Sequence, residues 1–237
     1  MLNNCEYFGN YFSIQSFQST FALEILEKLK YSFIGYLEKM KEKIIAKATD
    51  MFLKLGFKSV TMNDIACEMC ISKKTIYKFF ENKDVLIEEA TSSVHKQVHE
   101  TINAIVAKNH NAIEENFEIR KMFKEMFKAS DTSPLYQLKK HYPEIYAQVM
   151  GREIDQCNLI FKQNIEKGIL QGLYRENTNI ESCVKFYYTL IFSIKESTDS
   201  DKEALKAELE ALEYHTRAIA TVAGIEELEK QLLYPNI

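Results

Sequence analysis

The chain is patterned at helical spacing over most of its length. Met40, Ile44, Ala48, Met51, Phe52 and Leu55 form one apolar stripe, with Lys41, Lys43, Lys47, Asp50 and Lys54 off it. That spacing predicts an amphipathic helix. Gly56 follows directly and suits a left-handed cap at the helix end. Thr61 is a good N-cap for a short second helix with Ile65, Ala66 and Met69 on its apolar side, and Asp64 favours its positive end. Cys70-Ile71 leaves room only for a tight turn. Ser72 caps a third helix over 73–80, and Asn82 a fourth running from Lys83 to about Lys108. Further helices are predicted near 112–128, 133–141, 143–170, 179–198 and 202–222, separated by breaks rich in Asn, Ser, Asp, Pro or Gly. No alternating run competes for a strand. Residues 22–38 carry Leu26, Leu29, Phe33 and Leu37 at helical steps, whereas the first twenty show no clean period.

The pattern therefore predicts an all-α chain, and composition agrees. Only 7 Gly and 3 Pro occur in 237 residues, too few turns for a sandwich or barrel. No run of 18 apolar residues is present to span a membrane. The N-terminus shows no basic segment leading into an apolar one, so no secretory signal is read. Five Cys without dense spacing fit free thiols in a reducing cytoplasm.

Charge divides the chain further. Residues 39–88 hold 10 Lys against 7 acids, whereas 89–237 hold 18 basic and 23 acidic side chains. One part is built to meet an anion and the other is not. Residues 1–38 hold nine aromatics and no Arg, with 2 Lys against 4 Glu. Arms that enter a minor groove use Arg or Lys. These residues are therefore expected to lie outside the working fold, with Met40 as an alternative translation start; an extension of the first helix packed on the head is the other reading. The expected division is 1–38 extension, 39–88 basic unit and 89–237 helical body.

Two short capped helices beside a longer one make a helix-turn-helix, whose second helix enters the major groove. Here that helix opens Ser72-Lys73-Lys74-Thr75, residue types that bond base edges. Lys83 lies at another helix N-terminus, which favours phosphate. Alone, Lys73, Lys74 and Lys78 would fit a solvated face; the caps, the turn and the Ile76, Phe79 and Phe80 anchors turn the reading toward DNA. Tyr77 fits packing and phosphate contact equally.

At Gly56-Phe57, Thr61, Asp64-Ile65-Ala66, Ile71 through Phe80 and Lys83 the chain resembles the tetracycline-repressor (TetR) family of bacterial regulators. A second match, Gly168 through Arg175, resembles the turn after the long seventh helix. The resemblance implies a three-helix head, a linking helix and a body that dimerises through its last two long helices around a ligand cavity. It places Thr61, Tyr77 and Lys83 on phosphates, and Asn63, Lys73, Lys74, Thr75 and Lys78 toward the groove. The chain departs at Met69-Cys70, where many members have Ala-Gly, and at Lys74, where Gly is common. Cys70 would carry about 1 kcal/mol of strain in a left-handed turn.

Other motifs carry less. Cys67-x-x-Cys70 is half a zinc site without its other half. His95 and His99 share a helix face and are metal-compatible, but need a third ligand, and Lys96 stands where a zinc protease has its Glu. No metal or cofactor is assigned, and no nucleophile elbow, phosphate loop or dinucleotide fingerprint indicates an enzyme. Aromatic and Met residues of the body fall at helical spacing and are mostly core. Among them Phe123, Phe127, Tyr146, Met150, Phe161, Tyr187 and Tyr188 are candidates to line a cavity. Leu205, Leu209, Leu212, Thr216, Ile219 and Ala223 have coiled-coil spacing. With a second stripe containing Ile180, Val184, Tyr187 and Ile191, they predict a four-helix dimer seam; the alternative is that both stripes face their own core. The expected function is a homodimeric cytoplasmic regulator on near-palindromic double-stranded DNA. It is expected to be a repressor released by a small apolar or amphipathic ligand. The alternatives are a ligand-independent architectural protein and an enzyme with an appended DNA-binding head.

Overall fold

The computed structural model describes residues 6–127, 133–198 and 201–233, with side chains from residue 27 onward except Asp201. Ten helices follow in order: α1 Glu6–Leu55, α2 Met62–Glu68, α3 Lys73–Tyr77, α4 Lys83–Val106, α5 Ala112–Phe127, α6 Pro134–His141, α7 Pro143–Leu170, α8 Ile180–Ser197, α9 Asp201–Ile219 and α10 Val222–Leu233. Among the described residues there is no strand beyond one isolated bridge, Tyr174 to Ala220. The chain separates into two compact units, 1–44 and 45–237.

In the first unit the helix runs without a break from Glu6. Leu29, Tyr31, Phe33, Ile34 and Tyr36 are exposed. Leu29 and Phe33, two residues of the helical-period pattern over 22–38, are among them.

In the second unit the chain enters on the last turns of α1, where Ala48, Met51 and Phe52 are buried. Gly56 closes this helix as expected, its N–H donating to the Phe52 carbonyl at 2.9 Å with φ 89°. Phe57 stacks on Phe52 with ring centroids 5.5 Å apart. The body packs α8 against both α7 and α9. Its core holds Ala112, Ile113, Ile165, Tyr174, Val184 and Ile219.

The expected last helix over 202–222 corresponds to α9, and a further helix that the periodicity did not predict, α10, lies beyond it. α9 stops at Ile219, and α10 follows after Ala220-Thr221. The break is stitched to the turn after α7: Arg175 N–H donates to the Ile219 carbonyl and Thr221 N–H to the Leu173 carbonyl, each at 2.9 Å. This explains the Gly168–Arg175 motif. Leu173 and Gly172 N–H groups bond back to the Gly168 and Ile169 carbonyls, and Gly172 takes φ 71°. Gly168 matters for a different reason. A Cβ there would lie 2.1 Å from the ring of the buried Tyr174, so only Gly lets that ring seat.

A buried polar cluster joins α5 to α7. The Asn164 side-chain amide donates to the Glu115 carboxylate at 2.7 Å and to the Ala112 carbonyl at 2.9 Å. Asn116 donates to Asn164 Oδ1 at 2.9 Å, and Lys167 pairs with Glu115 at 2.6 Å. Groups of this kind are tolerated inside a protein only when their hydrogen bonds are made.

Candidate nucleic-acid interface and body cavity

The short helices α2 and α3 depend on their caps. Thr61 closes a capping box: its Oγ1 accepts from Asp64 N–H at 3.2 Å, while its own N–H donates to Asp64 Oδ2 at 2.8 Å. The Thr61 hydroxyl also donates to that carboxylate, at 2.7 Å. These donors hold the exposed Asp64 carboxyl below its usual range. Ser72 Oγ accepts from Thr75 N–H at 3.1 Å, and Asn82 Oδ1 from Val85 N–H at 2.9 Å. On the inner side Met62, Ile65, Ala66, Ile76 and Phe80 are buried.

The turn between α2 and α3 ends in a Schellman motif. Ile71 N–H reaches the Ala66 carbonyl and Cys70 N–H the Cys67 carbonyl, both at 3.0 Å. Cys70 takes φ 52°, the left-handed conformation expected for it. Cys70→Gly should therefore raise stability by about 1 kcal/mol, read as a shift in the denaturant midpoint at unchanged slope.

The outer face carries the residues expected at DNA. Thr61, Asn63, Lys73, Lys74, Tyr77 and Lys78 are exposed, and Thr75 and Lys83 are half-buried. The structure qualifies three of these. The Thr61 hydroxyl already donates to Asp64, so a phosphate oxygen would compete with that carboxylate. The hydroxyls of Thr75 and Ser72 are 2.8 Å apart and share a proton between them. Lys83 Nζ donates to the Lys58 carbonyl at 3.3 Å, tying the start of α4 to the segment after α1. Lys73 lies over the Tyr77 ring at 5.7 Å, so the phenol and the ammonium present one surface.

The body encloses a cavity of about 230 Å³. Phe123, Phe127, Phe161, Tyr187 and Tyr188 line it as expected, whereas Tyr146 and Met150 are not in its wall. The Tyr146 hydroxyl is instead taken up by Glu196. Sequence reading missed the polar wall: Arg120, Lys195 and Glu208. Arg120 donates to the Leu205 carbonyl at 2.9 Å, but its Nε is buried without a hydrogen-bond partner among the described residues. Burial holds its guanidinium below the usual range. Lys195 stands 4.4 Å over the Phe123 ring and 3.5 Å from Glu208. Asn116, Arg120, Phe123 and Phe127 step by four, three and four, so an Arg on an apolar stripe was the available signal. Next to the cavity, Tyr187 stacks on His215 at 4.3 Å, and burial pushes His215 down to about 4.

The expected dimer seam turns inward, which corrects the sequence reading. Leu212, Thr216 and Ile219 are buried at 1%, 0% and 2% exposure, and Val184 is core. Ile180 packs on that core, Tyr187, Ile191 and Leu205 line the cavity, and Leu209 is half-buried. Coiled-coil spacing fits an intramolecular helix contact as well as a symmetric one, and here α9 uses it against its own neighbours. The apolar groups left outside on these helices are others: Phe186 and Leu190 on α8, 69% and 39% exposed, and Tyr214 on α9, 72% exposed.

Comparison with known proteins agrees with this geometry. Residues 44–90 match the family model of bacterial regulatory proteins of the tetR family. The HTH-type transcriptional regulator YhgD of Bacillus subtilis is 26% identical over 182 residues, 72% of this chain and 92% of that protein. The biofilm operon icaADBC HTH-type negative transcriptional regulator IcaR of Staphylococcus aureus is 26% identical over 110 residues, which covers 46% of this chain and 53% of IcaR. A transcriptional regulator from Cytophaga hutchinsonii shares the fold, with a TM-score of 0.63 at 18% identity over 76% of this chain and 98% of that one. A capped helix-turn-helix with a lysine-bearing outer face, matched over residues 44–90 by the family model and set on a helical body, makes the chain similar to DNA-binding transcriptional regulators of the TetR family.

Proposed function

We propose that the protein acts as a homodimeric repressor that leaves its operator when a small amphipathic molecule enters the body cavity. The observation that carries this reading is the cavity wall. Ala90, Thr91, Val94, His95 and Val98 of α4 form part of it, and α4 begins at Lys83, capped by Asn82, directly after the helix-turn-helix. A ligand that repacks this wall acts on the helix leaving the head. It shifts DNA affinity by as much as it prefers one setting of α4 over the other. The aromatic lining favours an apolar body, and the unpartnered Arg120 Nε favours an acidic or strongly polar end. The negative regulator IcaR supports the repressing sense.

The test is release of operator DNA, followed by fluorescence anisotropy across a library of apolar and amphipathic acids. A ligand at 100 times its Kd should add about 2.7 kcal/mol of stability. Arg120→Leu should abolish the response to acids while leaving operator binding intact. A library that neither releases DNA nor raises the melting temperature would favour the ligand-independent alternative.

Within the head, Lys74→Glu or Thr75→Ala should weaken binding to the specific site, each good hydrogen bond to a base edge being worth about 1–3 kcal/mol. Lys83→Ala should weaken every DNA sequence alike and reduce the salt slope by about one phosphate. A change of base preference in Lys83→Ala would contradict these roles. Residues 1–38 are proposed to be dispensable. A chain beginning at Met40 should keep operator affinity and melting temperature, and a tenfold loss of affinity, about 1.4 kcal/mol, would contradict that.

A further inference from the structure

His95 and His99 lie one turn apart on α4, and Glu153 and Cys157 one turn apart on α7. The two pairs meet. His95 Nδ1 is 2.5 Å from Glu153 Oε1, and His99 Nε2 is 3.4 Å from Glu153 Oε2. Cys157 Sγ is 4.0 Å from the same Oε2. One ligand atom from each of His95, His99 and Glu153 falls within 4.8 Å of the others, the one such cluster among the described residues. All three are half-buried, and the imidazole rings are 4.4 Å apart.

A hydrogen bond between two helices needs one imidazole on the carboxylate. Here two imidazoles and a carboxylate converge, with a thiol at the edge. Around a tetrahedral zinc ion with bonds of about 2.1 Å, ligand atoms stand roughly 3.4 Å apart, so rotamer adjustment of these side chains suffices. Two imidazoles and one carboxylate are also a known ligand set for zinc sites that keep one position open. We propose that His95, His99 and Glu153 bind a divalent transition ion of the zinc type, with Cys157 supplying the fourth ligand. The ion takes the place of the contact between His95 and Glu153 and clamps α4 onto α7. Because His95, Glu153 and Cys157 also line the cavity, the ion sits in its wall. This site stands independently of the organic ligand proposed above.

The experiment uses the full chain, stripped with chelator and titrated with ZnCl₂ by calorimetry and with CoCl₂ by absorption. One ion per chain is expected, with the visible bands of tetrahedral cobalt and a near-ultraviolet sulfur-to-cobalt band. Cys157→Ser should lose the sulfur band and retain binding. His99→Ala and Glu153→Gln should weaken zinc binding by at least about tenfold. Their helical circular dichroism and melting in chelator report folding. Cys67→Ser with Cys70→Ser should bind as the parent does. The proposal falls if the parent binds no ion or gives an octahedral cobalt spectrum. It also falls if binding survives unchanged in His99→Ala and Glu153→Gln, or is lost with the Cys67 and Cys70 thiols. Should a ligand variant fail to fold, the parent's cobalt spectrum and the Cys157→Ser comparison decide.

Discussion

Phe186→Glu combined with Tyr214→Glu is expected to give a monomer in sedimentation velocity and to weaken operator binding by about 10²–10⁴-fold, the advantage that linking two sites confers. The reasoning starts from where the apolar side chains of α8 and α9 go. The stripe of coiled-coil spacing is consumed inside the protomer, where Leu212 and Ile219 are buried. Phe186, Leu190 and Tyr214 remain outside on the two helices that pack against each other. Exposed apolar groups grouped on adjacent helices mark an association surface. Two glutamates there would be desolvated against their symmetry mates, whereas in the monomer they stand in water at little cost. Leu212→Glu is the informative contrast: it places a charge in the core and should unfold the chain rather than split a dimer. A double variant that still sediments as a dimer would move the interface elsewhere.

Lys167→Met is expected to lower stability by about 3 kcal/mol, near the lower end of the cost of removing one partner of a buried pair. For a chain of this size that is a fall of roughly 6–12 °C in melting temperature. Glu115 is 3% exposed in its side chain and Lys167 28%, so the carboxylate is the member that cannot return to water. Without the lysine it keeps the Asn164 amide at 2.7 Å but loses its compensating charge. Glu115→Gln in the Lys167→Met background should recover much of the loss, because a neutral amide needs no counter-ion. Scanning calorimetry of the two single variants and the double variant measures the coupling. Additive losses would show that the pair does not act as a unit.

The head was legible because its signals are local. Thr61, Ser72 and Asn82 cap within three residues, and Gly56 terminates at once. The body was legible as far as α9, but not in α10 or in the assignment of faces. A stripe such as Leu205–Leu212–Ile219 records only that a helix has an apolar side. Whether that side meets its own core or a second chain depends on neighbours distant in sequence. Glu153 was invisible for the same reason: the two histidines announced themselves at i and i+4, but their partner is 54 and 58 residues away. α10 was missed because no helix was read beyond residue 222; the break before it, at Ala220-Thr221, carries no Gly or Pro and is made by hydrogen bonds to the turn after α7.

The most direct test of the central claim is selection of the preferred DNA site from random duplexes, followed by measurement of the bound stoichiometry. The expected result is a near-palindromic site with half-site centres about 34–36 Å apart, two chains bound per duplex, and loss of selection in Lys74→Glu. Recovery of no preferred site, or of a single half-site bound by one chain, would contradict it.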